Sequence, residues 1–175
     1  TPALKALKGV YERKGMYHDM IRVLTMMEAN ALDYQEKSSC FAEMGRIYAD
    51  LLGDAQMGID YYQQAIDLNP ENVEVAPRLI DHYLHTERWE RAEPLLDLLL
   101  DKGELDDPAQ RKQRHFELAQ CALQLHKENK AEEQFRHAYQ YDSTHFPTLN
   151  GLAEIYLRQE RWEDAFNFLQ NILIH

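Results

Sequence analysis

Leu149-Asn150-Gly151-Leu152-Ala153-Glu154-Ile155-Tyr156, a polar Arg158-Gln159-Glu160-Arg161, and then Trp162-Glu163-Asp164-Ala165-Phe166-Asn167-Phe168-Leu169 form the stretch that decides the fold. Leu149, Leu152, Ala153 and Tyr156 recur at three- and four-residue steps, so they line one face of a first helix. The polar residues read as a turn, after which Trp162, Ala165, Leu169 and Ile172 line one face of a second helix. Small alanines at 153 and 165 let the two backbones approach closely, with Tyr156 and Trp162 expected to fill the space around that contact.

Working outward, the pattern recurs five times. Leu7, Met44, Leu79, Leu118 and Leu152 fill a first slot, and Tyr11, Tyr48, Tyr83, Ala122 and Tyr156 a second. Met20, Gly58, Ala92, Ala131 and Ala165 fill a third; Leu24, Tyr62, Leu96, Phe135 and Leu169 fill a fourth. Successive copies are roughly 34 to 39 residues apart, a period that builds stacked solenoids and not one globular core. One helix pair cannot bury its apolar faces alone; the next pair covers it.

Composition agrees. An apolar fraction of 45% suffices for a core, and 7 glycines and 6 prolines are too few for a disordered chain. The net charge of -11 is poorly suited to neutralising phosphates, which excludes nucleic acid as the expected partner and disfavours an anionic membrane surface. No apolar run approaches the roughly 20 residues that cross a bilayer. Thr1-Pro2-Ala3 shows no export leader and looks like the start of an excised segment, so a cytoplasmic setting is expected. Cys40 and Cys121 lie two repeats apart and read as small helix residues, not as a disulfide or zinc motif.

The pattern resembles the tetratricopeptide repeat along essentially the whole chain. Phe41, Met44-Gly45, Tyr48, Gly58, Tyr62, Ala65 and Pro70 follow the family signature in the second copy. Leu118-Ala119, Ala131, Phe135 and Ala138 follow it in the fourth, with Ala122 in the tyrosine slot. In the first copy Met20 and Met27 replace the small residues. The resemblance implies an all-α, right-handed superhelical solenoid of antiparallel helix pairs. It would form one array over residues 1–175, with repeats at about 1–34, 38–72, 73–106, 112–145 and 146–175. The Leu-Gly-Asp and Glu-Arg-Trp-Glu turns look like those of long bacterial repeat scaffolds.

Departures from the period carry their own expectations. Asp33-Tyr34-Gln35-Glu36 reads as a capping box that starts its helix early, and Asp107-Pro108-Ala109-Gln110 offers the same signature. Leu51-Leu52-Gly53-Asp54 carries one extra residue, and Lys102-Gly103-Glu104-Leu105-Asp106 is the segment expected to be most flexible. Pro77 and Pro94 fall where a missing amide hydrogen would cost a helix bond, so their helices are expected either to start one or two residues later, the favoured reading, or to bend there.

Chemistry-bearing residues form no catalytic constellation. His82 and His85 are three apart, but only Asp81 stands beside them, facing another way; no metal or cofactor is expected. There is no G-x-S-x-G, phosphate-cradling glycine loop or H-E-x-x-H. The family resemblance instead implies a concave groove lined by the first helix of each repeat. Its candidate residues are Lys5, Glu12 and Arg13, then Arg46 and Asp50, then Glu74, Arg78, Asp81 and His85. Gln113, Gln120 and Gln124 follow, and Asn150, Glu154 and Arg158 complete the set. Members that clamp a carboxylate tail use lysine and asparagine at fixed positions. Here Gly9 and Glu43 replace asparagines and Glu74 replaces a lysine, although Arg78 fits, so a carboxylate clamp is not expected.

The expected function is a non-enzymatic scaffold that holds a protein or peptide in its groove. Phe166–Ile174 is apolar on more than one face, so either further repeats follow, the favoured expectation, or copies self-associate there. A third expectation is a docking segment of a larger enzyme.

Overall fold

The computed structural model describes residues 2–102 and 105–174. Among these, the chain forms ten α-helices and no strand: α1 Pro2–Lys14, α2 Tyr17–Asn30, α3 Tyr34–Arg46, α4 Ala55–Leu68, α5 Ala76–His85, α6 Trp89–Lys102, α7 Pro108–Gln124, α8 Glu128–Tyr141, α9 Phe146–Arg158 and α10 Trp162–Ile174. A π-helical stretch, Ile47–Leu51, continues α3. The chain divides into two compact units that meet between His82 and Tyr83.

In the first unit α1 packs on α2, α2 on α3, and α3 on α4. Its core gathers Met20, Ile21, Leu24, Cys40, Met44 and Ile47, edged by Tyr11, Phe41, Tyr48 and Tyr61. In the second unit α6 packs on α7, α7 on α8, α8 on α9, and α9 on α10. Phe135, Leu152, Ile155 and Tyr156 fill its core among Ala119, Ala122, Ala131 and Ala165. Tyr156 is fully buried as the spacing requires, whereas Trp162 is 62% exposed and does not fill the space beside it. Trp162 is the first residue of α10.

The turn inside each pair fixes the register of the repeat. Backbone N–H groups of Met16, Arg88, Lys127 and Arg161 donate to the carbonyls of Tyr11, Tyr83, Ala122 and Tyr156, at 2.8–3.0 Å. Each acceptor is the second-slot residue, and each bond runs back five residues, closing a Schellman turn. The residue before each donor is left-handed: Gly15 (φ 65°), Glu87 (55°), His126 (58°) and Glu160 (59°). In the second pair the corresponding bond runs from Asp54 N–H to Tyr48 O, one residue longer, with Gly53 at φ 74°. The extra residue anticipated there is absorbed by widening the last turn of α3 into the π stretch, where Leu52 N–H reaches Ile47 O at 3.0 Å.

Glu87, His126 and Glu160 carry a Cβ in a conformation that glycine adopts without strain. Subtracting glycine's larger unfolded-state entropy, Glu87→Gly or His126→Gly is expected to raise stability by about 0.5–1 kcal/mol. Urea unfolding followed by circular dichroism checks this; an unmoved or lowered midpoint contradicts it.

Both aspartates supply the accepting half of the capping box. Asp33 Oδ1 accepts the Glu36 N–H at 2.7 Å, and Asp107 Oδ1 accepts the Ala109 N–H at 3.0 Å with Pro108 opening α7. In the segment expected to be flexible, Gly103 and Glu104 lie outside the described residues. Its Leu105 is buried and its carbonyl accepts Arg111 Nε at 2.6 Å, so this part is anchored. Pro77 falls in the first turn of α5, matching a late start. Pro94 departs from the favoured late start, because α6 begins at Trp89 and keeps the proline inside. Glu90 and Pro94 both face solvent, so water can take the carbonyl that the missing N–H would have bonded.

Candidate functional site

A cleft of about 410 Å³ opens in the second unit between α7 and α9. The helical period sets its walls: Phe116, Gln120, Leu123 and Gln124 project from one face of α7, and Phe146, Asn150 and Glu154 from one face of α9. Trp89 of α6 closes one side and Phe135 of α8 lies in the floor. Gly151 makes that floor possible, since a Cβ there would sit 2.5 Å from the Phe135 ring. Phe116 packs tilted on Phe135, with ring centroids 5.8 Å apart.

Of the groove residues proposed from the sequence, Gln120, Gln124, Asn150 and Glu154 converge in this cleft. Arg158 stands one helical turn beyond, its guanidinium bonded to Glu154 and 4.0 Å from Glu128. Gln113 is turned along α7 to Glu117, at 2.9 Å. The remaining candidates lie elsewhere. Lys5 borders a separate cleft of about 650 Å³ among α1, α2 and α3, whose floor includes Leu24, Met27 and Cys40. Arg78 donates to both Asp50 oxygens at 3.0 and 3.1 Å, so these two candidates neutralise each other. Glu12, Arg13, Glu74, Asp81 and His85 are exposed and Arg46 is half-buried; none lines the α7–α9 cleft. Glu43, one of the residues that argued against a carboxylate clamp, receives Lys8 Nζ on both oxygens at 2.8 and 2.7 Å.

The aromatic walls were missed by sequence reasoning. Trp89 occupies the same place before its third-slot alanine, Ala92, as Trp162 does before Ala165. That coincidence was the available signal. It marks a position and not an environment, for Trp89 is half-buried and Trp162 exposed.

Charges behind the cleft hold its helices together. Burial pushes the Glu93 carboxyl up, but hydrogen bonds from Lys127 (2.6 Å) and Lys130 (2.8 Å) outweigh it and hold the group below its ordinary range. Glu93 thereby ties α6 to α8. Both cysteines are buried free thiols; burial pushes Cys121 up to about 12, and raises Cys40 with help from Glu43 and Glu28. Neither is in the state a nucleophile requires. Among the described residues no group of three or more His, Cys, Asp or Glu is placed to hold a metal ion, and no helix is long and apolar enough to cross a membrane.

His115 joins α7 to α8. Its ring stacks on His137 at 5.0 Å and on Tyr141 at 5.9 Å, and Nδ1 meets Gln134 Oε1 at 2.8 Å. Burial lowers its pKa, with His137 and Arg111 adding to the effect against the Gln134 bond. His145, at the start of α9, is lowered by burial and Lys112 against Asp142. A histidine lowered in the folded state takes its proton more readily when unfolded. Stability is therefore fully present above the ordinary value of 6.5 and is lost as pH falls from there through the folded pKa. Urea midpoints are expected to fall from pH 7.5 to pH 5.5, less steeply in His115→Gln; an equal fall in both contradicts the assignment.

Comparison with known proteins places this geometry. Tetratricopeptide-repeat models match residues 51–114 and 148–174, together just over half of the chain. Solved structures of MamA share the fold. For MamA AMB-1 the identity is 19%, covering 97% of this chain and 87% of that one, with a TM-score of 0.63. For MamA MSR-1 the identity is 18%, with coverage of 96% and 91% and a TM-score of 0.60. For MamA from Desulfovibrio magneticus RS-1 it is 16%, with coverage of 98% and 90% and a TM-score of 0.54. At such identities the likeness is one of fold alone. No curated protein matches the chain significantly. With its all-α helix pairs, a turn repeated in register and two family matches, the chain belongs to the tetratricopeptide repeat family.

Proposed function

We propose that the chain is a non-enzymatic protein-interaction scaffold, and that an extended segment of a protein partner docks in the α7–α9 cleft. The observation that carries this reading is the row of exposed amides, Gln120, Gln124 and Asn150, above an aromatic floor. Each side-chain amide offers donors and an acceptor, the complement of an extended backbone. Side chains of such a segment would be taken by the aromatic walls. Peptides selected by display against the whole chain test it. Gln124→Ala with Asn150→Ala, folded by circular dichroism, is expected to weaken selected peptides by about tenfold or more. Undiminished binding moves the site off this cleft.

A second reading has its own observation. Trp162, Phe166, Leu169 and Leu173 of α10 form one stripe and are 62%, 64%, 39% and 86% exposed. An apolar stripe of this kind suits contact with a second copy. Light scattering across a concentration series separates the two: mass that rises with concentration, and that Phe166→Glu abolishes, favours self-association.

A further inference from the structure

We infer that the α7–α9 cleft is an arginine site: the docked segment places a guanidinium between its aromatic walls and Glu154. The inference rests on the cleft being where the partner docks, and adds what it recognises.

Three observations converge. Trp89, Phe116 and Phe146 give the cleft aromatic surfaces, and Phe146 is 59% exposed. Such faces attract a cation, arginine most often. Glu154 is the charged side chain in the lining, which includes no lysine or arginine. Its ion-pair partner Arg158 stands outside the lining, and the chain's net charge of -11 draws cationic segments towards the cleft. Finally, Glu154 already accepts a guanidinium, that of Arg158, which is half-exposed at the cleft edge. The chain's own arginine shows the geometry that a partner's arginine would share or replace.

The alternatives fit less well. A leucine would desolvate Glu154 and the amides of Gln120, Gln124 and Asn150 while supplying no donor. A lysine offers three donors around a point charge, without a plane to stack. Arginine's planar group stacks on the walls while its five N–H donors reach the carboxylate and amide oxygens together.

Trp162→Phe leaves Trp89 as the one remaining tryptophan of two, a reporter in the cleft wall. Short acetylated, amidated peptides of one host sequence, with arginine, citrulline, lysine or leucine at the centre, are titrated against this variant. Trp89 emission and backbone amide shifts provide the readouts. Arginine is expected to bind about tenfold tighter than citrulline, its neutral isostere. Glu154→Gln should erase that preference, and Arg158→Ala should tighten the arginine peptide by freeing Glu154. Citrulline or leucine binding as well as arginine, with Trp89 still responding, overturns the arginine site and leaves the docking cleft standing. If no peptide moves Trp89 or the α7 and α9 amides at millimolar concentration, both the inference and the docking reading fall.

Discussion

Phe135→Ala is expected to cost about 3–5 kcal/mol. Phe135 is 2% exposed in the core of the second unit, touching Phe116 on α7 and the backbone of α9 at Gly151. Truncation removes the cleft floor and leaves a void that three helices line. The stronger form of the prediction is a rescue. Gly151→Leu alone is disruptive, because even its Cβ would fall 2.5 Å from Phe135. Combined with Phe135→Ala, that leucine enters the space the ring vacated, so the double variant should be more stable than Gly151→Leu alone and short of additive loss. Strict additivity in urea unfolding would mean that the two residues do not share this space.

The second large effect lies in the first unit, where α3 and α4 cross at Gly45 and Gly58. A Cβ at Gly58 would meet Ala49 Cβ at 2.7 Å, Gly45 O at 3.1 Å and Ala49 Cα at 3.2 Å. Two of those contacts are backbone, so no rotamer change relieves them. Gly58→Val is expected to cost about 3 kcal/mol through separation of the helices. A Cβ at Gly9, inside α1, would meet the Arg13 guanidinium at an easy 3.8 Å. Gly9→Ala should therefore gain up to about 1 kcal/mol from helix propensity. Opposite signs at two helical glycines separate close packing from propensity; a stabilised Gly58→Val would refute the crossing.

These two sites also show what the sequence could tell. Gly58 was legible because it stands where Ala92, Ala131 and Ala165 stand, and a recurring small residue signals close helix approach. Met44, Leu79, Leu118 and Leu152 are likewise buried, as their slot requires. Leu7 shares that first slot, and Leu169 the fourth slot of buried Leu24, Tyr62, Leu96 and Phe135, yet each is 39% exposed, because burial in a repeat depends on the neighbouring elements that cover it. The turn insertion before Gly53 was visible as one extra residue, but its accommodation as a π stretch was not. Sequence spacing does not say which part of a helix stretches.

The site was legible in part for the same reason. Gln120, Gln124, Asn150 and Glu154 were named from the groove positions that the family resemblance implies, and the structure brings them together in one cleft. Trp89 and Phe116 join them only through packing among α6, α7 and α9, which no local period encodes. Asp50 and Arg78 were named as separate groove residues; their mutual bonding depends on bringing two elements together.

The central claim is that a partner segment lies in the α7–α9 cleft. Two-dimensional 15N NMR of the whole chain with a display-selected peptide tests it most directly. The account predicts shifts in the Trp89 indole N–H and in the side-chain amides of Gln120, Gln124 and Asn150. Shifts confined to the exposed stripe of α10 or to the first unit, with those signals unmoved, would contradict it.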